Sequence, residues 1–240
     1  MVDNNRRTKL LPKIIFGQIG VGLVICIIAL ASIFYAQGLR VDWKKMKVAK
    51  TGVLVAGYEP KDADLTINGK KICRKNPCVL NLPRNRYEII ANKEGFVTWQ
   101  ESVTLVAESV NIFQNIILFK SEITVSELSD LDKINLINTP VDLLATNAPD
   151  QLSYTDYEIW VGEKLLTRFS KPIQRAVWYP DLWHVVYQQG REIRAIEKNG
   201  HNDTLLVTLK QETAVPFSIG NRGQDIYFMD EGQYYQAKIR

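Results

Sequence analysis

Residues that could do chemistry are few in this sequence. The chain has two histidines, His184 and His201, so little is available for general acid–base catalysis. No segment matches a phosphate-binding loop, a zinc-protease helix or a nucleophile elbow. We therefore expect a protein that is not an enzyme and that has no cofactor and no metal site.

Four residues crowd one segment that reads as strand, turn and strand, and they are the best candidates for binding. They are Trp178, Tyr179, Trp183 and His184. Aromatic side chains at a turn can stack on sugar rings or anchor a protein partner. The alternative is packing in the core of a small sheet, with His184 as a structural side chain.

Aspartates recur near the predicted turns of the second half. They are Asp150, Asp156, Asp181 and Asp225. Capping of turns is the ordinary role of such residues. Catalysis by paired carboxylates depends on distances that a sequence does not contain.

Two of the three cysteines, Cys73 and Cys78, have four residues between them. The stretch around them is otherwise typical of a β-hairpin, from Leu65–Ile67 to Val79–Leu82. A disulfide is geometrically reasonable there, and it would persist only in an oxidising compartment. Two free thiols and half of a zinc site are the alternatives, and we favour the disulfide because both histidines are distant in sequence.

A run of 23 residues from Ile14 to Ala36 carries no charged side chain. As an α-helix rising about 1.5 Å per residue, this run is long enough for the roughly 30 Å hydrocarbon core of a bilayer. We predict a single transmembrane helix at residues 14–36. The alternatives are a buried core helix and a signal peptide cleaved after Ala31, although the apolar run before Ala31 exceeds the usual 7–15 or so residues.

Positive charge is concentrated around this helix. Residues 1–50 hold nine Lys and Arg against two acidic residues, and the remaining 190 residues hold 21 basic and 24 acidic residues. This pattern suits anionic lipid head groups and does not indicate nucleic-acid binding. We expect a basic tail at 1–13 and a basic juxtamembrane segment at 37–50. The predicted interfacial residues are Tyr35, Trp43, Lys44 and Lys45.

The orientation of the helix depends on the cysteines. Basic residues flank both ends of the uncharged run, so the positive-inside rule does not decide between the two orientations. A disulfide between Cys73 and Cys78 would place residues 37–240 outside the cytoplasm. We therefore predict a cytoplasmic N-terminus.

Between residues 51 and 120, apolar and polar residues alternate in short runs, which is typical of a small antiparallel β domain. The predicted strands are Val53–Val55, Leu65–Ile67, Val79–Leu82, Tyr87–Ala91, Val103–Val106 and Ile112–Phe119. Asn68-Gly69 predicts a tight hairpin turn, because both residues tolerate positive φ.

Several short motifs occur in order along this stretch. They are Gly52, Pro60–Ala63, Leu65–Gly69, Asn76-Pro77, Leu82–Tyr87, Gly95-Phe96, Trp99 and Val103. Their order and spacing resemble the PEGA domain, a small β-sandwich of prokaryotic surface and envelope proteins. Asn85 stands where that family has glycine, and asparagine tolerates the left-handed conformation. The resemblance implies a spacer or binding module without catalytic residues.

A degenerate repeat marks the second half of the chain. Its copies begin at Ala148–Tyr154, Tyr179–Tyr187 and Gly220–Phe228. Each copy reads as a turn, an apolar strand, a polar turn and a second strand. The second strands are Glu158–Val161, Glu192–Ile196 and Gln233–Ala237, and Lys198–His201 is a further turn before Leu205–Leu209.

These copies resemble the blades of WD-repeat-like propellers found in periplasmic proteins. A closed propeller needs roughly 4–8 four-stranded blades, and residues 143–240 have room for about three. Open strand edges would remain, so we expect completion by a partner, by self-association or by curling into a sandwich. Residues 121–142 are expected to be a connector with one short strand or helical turn.

The sequence therefore predicts an all-β extracytoplasmic region, a small β-sandwich plus a propeller-like antiparallel meander, on one N-terminal transmembrane helix. The expected function is a non-catalytic binding or scaffold protein of the cell membrane, contacting membrane lipid and an envelope polymer or protein. The alternatives are an accessory or sensory subunit of a membrane complex and an envelope hydrolase.

Overall fold

The computed structural model describes residues 4–36, 39–42, 47–73, 75–138 and 148–240. The helices are α1 (Asn4–Ala36) and α2 (Leu131–Asn138), and a short 3-10 turn spans Asn221–Gly223. The strands are β1 (Leu39–Asp42), β2 (Lys47–Glu59), β3 (Asp64–Ile67), β4 (Cys78–Pro83), β5 (Asn85–Asn92), β6 (Trp99–Leu105), β7 (Val110–Ile117), β8 (Val125–Glu127), β9 (Leu152–Tyr154), β10 (Glu158–Val161), β11 (Lys164–Arg168), β12 (Ile173–Trp178), β13 (His184–Gln189), β14 (Glu192–Glu197), β15 (Thr204–Thr208), β16 (Phe217–Gly220), β17 (Asp225–Asp230) and β18 (Gln233–Lys238). The described chain is mostly β, as the sequence predicts.

The chain divides into two compact units. The smaller unit comprises Met1–Val55, Val79–Arg86 and Thr104–Ile112. The larger unit comprises Ala56–Cys78, Tyr87–Val103 and Phe113–Arg240. The larger unit thus contains residues of the PEGA-like stretch together with the whole C-terminal half.

Helix α1 is 33 residues long and contains the uncharged run of the sequence. Its described side chains, those of residues 18–34 and 36, are all exposed. Among the residues whose side chains are described, no helix combines the length and the apolar composition that crossing a membrane requires. The predicted anchor at 14–36 is thus not confirmed. The predicted interfacial side chains of Tyr35, Trp43, Lys44 and Lys45 lie outside the described part.

In the smaller unit, part of the stretch expected to be a basic juxtamembrane segment forms a β-hairpin. β1 pairs with the start of β2 in antiparallel register. Lys50 Nζ then lies 2.6 Å from Glu108 Oε1. Gly52 allows the chains to approach closely here, because a Cβ at this position would meet the carbonyl oxygens of Val106 and Ser109.

The strands predicted between residues 51 and 120 are all present, but one predicted pairing is wrong. β3 pairs antiparallel with β5, where Ile67 lies opposite Ile89, whereas β4 pairs with β2. Asn68 and Gly69 do turn the chain with φ of 49° and 72°. The turn is closed by the bridge between Ile67 and Lys70, and the chain then leaves β3. This pairing agrees with burial, because β5 has three buried residues, Tyr87, Ile89 and Ala91, whereas β4 has only Cys78.

A second local expectation is also wrong. Asn85 is absent from the positive-φ residues of the described chain and instead opens β5. The chain bends at Arg84. A left-handed conformation costs a non-glycine residue free energy, and a bend one residue earlier avoids that cost.

β7 pairs with β2 in parallel. In the larger unit, Leu118 N donates to Glu59 O at 2.9 Å, and Gly57 lies beside Gln114. Sequence numbers therefore rise together along both strands. A parallel pair needs a long crossover connection, and here the residues between β2 and β7 supply it.

The three hairpins predicted in the second half are confirmed. β9 pairs with β10, β13 pairs with β14, and β17 pairs with β18, all antiparallel. The turn predicted at Lys198–His201 leads into β15, which pairs with β14. Gly200 in this turn has φ of 87°, which glycine adopts without a steric penalty.

The C-terminal strands form three sheets with the orders β11-β10-β9, β12-β13-β14-β15 and β16-β17-β18-β8. β8 comes from the expected connector, so residues 121–142 contribute a strand to the last sheet in addition to helix α2. β8 covers the outer edge of β18. One of the edges predicted to be open is thus closed by the chain itself.

Candidate functional site

The predicted binding segment lies mainly in the interior. Trp178, Tyr179 and His184 are each 1% exposed. Trp183 is partly exposed, and Lys198 Nζ lies 5.1 Å from its ring centroid. The four residues do not form one exposed aromatic surface. Core packing, the alternative that the sequence left open, describes three of them.

The physical reason is that β13 is covered on both faces. Every residue from His184 to Gln188 is buried, whereas a strand with one solvated face alternates between buried and exposed residues. Val185 packs in one apolar cluster with Trp178, and Val186 packs in another with Tyr179. The sequence of an aromatic-rich segment does not distinguish a strand that is buried on both faces from a cluster of aromatic side chains on the surface.

Asp181 caps the turn that leads into β13, the ordinary role expected of the recurring aspartates. Its Oδ1 accepts hydrogen bonds from the backbone N–H of Trp183 at 2.9 Å and of His184 at 3.0 Å. Its Oδ2 lies 2.6 Å from His184 Nδ1. This contact orients the imidazole, whose Nε2 lies 3.9 Å from Glu197 Oε1.

Glu197 is the centre of a buried polar network that joins β6 to β14. Its carboxylate accepts hydrogen bonds from the indole N–H of Trp99, from Asn199 Nδ2 at 3.0 Å and from Asn202 Nδ2 at 3.2 Å. Glu197 is 2% exposed, and a buried carboxylate costs several kcal/mol unless such donors compensate it. The network therefore connects β6 with β14 through Trp99 and Glu197, which are 98 residues apart in sequence.

A cavity of about 10 Å³ adjoins this network, lined among others by Trp99, His184 and Thr204. This is room for about one water molecule. An imidazole between two carboxylates has the chemistry of an acid–base centre, but a substrate does not fit beside it. We assign the network a structural role.

The larger unit also carries an open cleft of about 440 Å³. This volume falls within the usual range for small-ligand sites. Its apolar lining residues are Ile116, Ile117, Tyr179 and Pro180, and its polar ones are Glu59, Gln114, Asn115, Asp181, Arg222 and Arg240. The cleft thus offers an apolar wall beside charged and amide groups.

Some of the charged side chains that line the cleft have a partner of opposite charge, and one does not. Arg240 Nη1 lies 2.7 Å from Glu59 Oε2, and Asp181 is engaged by His184 as described above. Arg222 is exposed, and it takes part in none of the ion pairs found among the described residues. The cleft therefore holds one guanidinium group without a carboxylate partner.

The turn that carries Arg222 is stabilised by a hydrogen bond from Tyr179. Burial raises the pKa of Tyr179 above its ordinary value, although Arg240 opposes the shift. The hydroxyl therefore stays protonated and donates to the carbonyl of Gly223 at 2.6 Å. Arg222 has φ of 54°, and its carbonyl accepts a hydrogen bond from Arg240 Nη2 at 3.2 Å.

Of the residues that line the cleft, Tyr179 was a predicted binding residue, whereas Arg222, Arg240 and Glu59 were not predicted as site residues. The lining comes from the end of β2, from β7, from the turn between β12 and β13 and from the last sheet, which are far apart along the chain. One local signal existed, because Asn221-Arg222-Gly223 lies at the turn of the third repeat copy. A basic residue at a turn carries no information about the strands that it will meet.

The predicted disulfide between Cys73 and Cys78 is present, with the Cα atoms 5.5 Å apart. Both cysteines are buried, while Cys26 is free and exposed on α1. Within the described ranges, no group of three or more His, Cys, Asp or Glu side chains is placed to hold a metal ion.

Comparison with known protein families identifies one match. Residues 51–117 match the PEGA domain, which agrees with the resemblance in the sequence. A search of curated proteins finds no similar protein.

Proposed function

We propose that this chain is a single-pass membrane-anchored binding protein of the cell envelope. In this proposal α1 spans the membrane, the N-terminus is cytoplasmic, and the β-rich units bind an envelope polymer or protein without catalysis. The PEGA domain is then a β-sandwich module close to the membrane, and the C-terminal sheets are an incomplete propeller.

The observation that carries the proposal is the all-round exposure of apolar side chains on α1. They are Ile19, Val21, Leu23, Val24, Ile25, Ile27, Ile28, Leu30, Ile33 and Phe34, each 46–62% exposed. Removing one large apolar side chain from water is worth about 1.5–3 kcal/mol. A helix that is apolar on every side has a favourable environment in lipid, because its backbone groups are satisfied internally.

The disulfide supports the outward orientation. Cys73 and Cys78 pair in the larger unit, and protein disulfides persist mainly in oxidising compartments. A cytoplasmic larger unit would face a reducing environment. An extracytoplasmic location of residues 37–240 explains why this pair is oxidised.

The sheet orders support a propeller-like arrangement. β12 to β15 follow one another across one sheet, and β16 to β18 are completed by β8 in another. Four sequential antiparallel strands are the unit of a propeller blade. Completion of a blade by a strand from before the repeats protects an edge that would otherwise pair with another chain.

The experiment is cysteine accessibility in intact cells that express the full chain. Cys26 is first changed to Ala, and one cysteine is then introduced by Glu122→Cys, at an exposed position, or by Thr8→Cys as the matched control. We expect a membrane-impermeant maleimide to label the Glu122→Cys chain in intact cells and the Thr8→Cys chain only after permeabilisation. Labelling of both chains only after lysis, with the protein in the soluble fraction, would reject the proposal.

A second candidate is an accessory subunit of a membrane complex. It is favoured by four exposed apolar side chains in the smaller unit, those of Val79, Val106, Val110 and Ile112, each 49–59% exposed. Val110 and Ile112 lie two residues apart on β7 and therefore on the same face of that strand, and exposed apolar side chains on one face suit a protein partner. Co-purification of a stoichiometric partner that is lost in a Val110→Ser, Ile112→Ser chain would favour this candidate.

A further inference from the structure

We propose that the cleft of the larger unit binds the free C-terminal carboxylate of a short peptide segment, with Arg222 as the residue that contacts the carboxylate. This inference rests on the proposed binding function and names its ligand class.

The two arginines of the cleft differ in whether they have a carboxylate partner. Of the two arginines in the cleft, Arg240 is engaged by Glu59 at 2.7 Å, while Arg222 is exposed and makes no ion pair within the described residues. A guanidinium group presents its donors as a planar fork that matches the two oxygens of a carboxylate. Arg222 is thus the group in the cleft that is available for an anion.

The backbone of Arg222 has an unusual conformation. Its φ of 54° and ψ of 39° lie in the left-handed region, which disfavours any residue with a Cβ. Glycine would be the inexpensive residue here, and strained residues cluster at functional sites. The carbonyl of Arg222 is held by Arg240, and that of Gly223 by Tyr179. The conformation is therefore fixed from both sides.

The side-chain charges that line the cleft favour a carboxylate over a phosphate. The cleft is lined by two arginines and by the two carboxylates of Glu59 and Asp181. These charges cancel, so the cleft has no excess positive charge to hold a doubly charged phosphate. A singly charged carboxylate needs only the guanidinium group of Arg222.

The strand edge beside the cleft favours a peptide over an acidic sugar. Gln114 to Ile117 line the cleft from β7, and over the described residues β7 pairs with β2 alone. At Gln114 and Asn115, which are exposed and partly exposed, its other edge has backbone groups for an added strand, and strand addition is a common way to bind an extended peptide. Ile116 and Ile117 are buried, so the partly exposed Pro180 supplies the apolar surface for a terminal side chain.

The test is fluorescence polarisation with the full chain and N-terminally labelled pools of random pentapeptides. One pool ends in a free carboxylate and the other in an amide. We expect the free-carboxylate pool to bind with a Kd at least tenfold lower than that of the amide pool. Equal Kd values for the two pools, or no binding of either pool at millimolar peptide, would overturn the proposal.

The decisive variant is Arg222→Gly. It removes the guanidinium group, and glycine suits the left-handed φ, so the thermal midpoint should stay unchanged or rise while the Kd increases at least tenfold. Glu231→Gly is the matched control, because Glu231 also has positive φ, of 49°, and does not line the cleft. Arg222→Lys should give an intermediate Kd. An unchanged Kd in folded Arg222→Gly would reject Arg222 as the anchor.

Competition separates the sources of the anion. Unlabelled free-carboxylate peptides should displace the probe, and inorganic phosphate or glucuronate at the same concentration should not. Displacement by either of these at lower concentration than peptide would overturn the peptide assignment. Binding is measured on purified protein and does not depend on topology, so it can fail while the maleimide experiment succeeds, or the reverse.

Discussion

The PEGA-matching stretch and the C-terminal half reach similar sheets by opposite routes. In the C-terminal half, β12 to β15 pair in the order in which they occur along the chain. In residues 51–117, β3 passes over β4 to pair with β5, and β2 pairs in parallel with β7. One region is built from local hairpins and the other from distant pairings.

The difference shows where long-range contacts have to be stabilised by something other than a turn. A hairpin turn sets the register of its two strands, so turns largely specify the C-terminal sheets. Distant strands must repay a larger loop-closure entropy. In the larger unit that stabilisation comes from buried contacts such as Trp99 with Glu197. Substitutions that remove distant contacts are therefore expected to cost more stability than substitutions that remove local ones.

The largest effect is expected from Glu197→Ala, which removes the buried hydrogen bonds that join β6 to β14. It leaves the buried indole N–H of Trp99 and the amides of Asn199 and Asn202 without their acceptor, so the free energy of unfolding should fall by about 3 kcal/mol. Urea unfolding measures the change. Glu158→Ala is the local control, since Glu158 pairs with Arg168 within one hairpin, and it should cost much less stability than Glu197→Ala because the pair is solvent-screened. Equal costs would contradict the distinction between the two kinds of contact.

An intermediate effect is expected from Gly223→Ala. Gly223 has φ of 86°, and a Cβ there would overlap the buried hydroxyl of Tyr179, so the variant should lose about 2–4 kcal/mol of stability. Gly232→Ala is the matched control within a hairpin turn. Gly232 has φ of 78°, but no atom lies within 4 Å of its Cβ position.

The control should therefore lose only about 1–2 kcal/mol, the cost of the left-handed backbone. Thermal unfolding of both variants measures the difference. If Gly232→Ala were the more damaging change, the contact between Tyr179 and the turn would not matter for stability.

The smallest effect is expected from a substitution of Tyr187, whose partner is local. The hydroxyl of Tyr187 donates to Asp203 Oδ2 at 2.8 Å. Burial, reinforced by the charge of Asp203, raises the pKa of Tyr187 above its ordinary value. A raised folded-state pKa gives a stabilising contribution that is complete below pH about 10 and is lost as pH rises above that.

Tyr187→Phe should therefore flatten the decline of stability between pH 9 and 11, although it also removes one hydrogen bond, worth about 1 kcal/mol at pH 8. Urea midpoints across this range measure the slope. Tyr157→Phe, at an exposed position, is the control and should leave the slope unchanged. A steeper slope in Tyr187→Phe would contradict the assigned cause.

Much of the fold was predictable where information is local. Asn68 and Gly69 take positive φ, Cys73 pairs with Cys78, and the hairpins that begin at β9, β13 and β17 all form as their turn residues predict. The pairing of β3 was mispredicted because a turn signal at Asn68-Gly69 implies that the next strand returns beside the first. The chain instead leaves β3 after Lys70, and β5 supplies the apolar neighbour.

The candidate site was less predictable, for the same reason. Trp178, Tyr179 and His184 have the residue types of a binding surface, yet both faces of β13 are covered, so these side chains are interior. Arg222 has no distinguishing neighbours along the chain. Its importance depends on Glu59 and Arg240, which engage each other and leave it without a carboxylate.

Residue order by itself determined most of the strands, several tight turns and the disulfide, because each depends on the φ preferences, alternation and spacing of residues close together in the chain. Tertiary structure alone decided which strands became neighbours, which aromatic side chains were buried, and which arginine kept a free guanidinium group. Those outcomes depend on competition among distant segments for burial and for charge partners, and no short stretch of residues contains that competition.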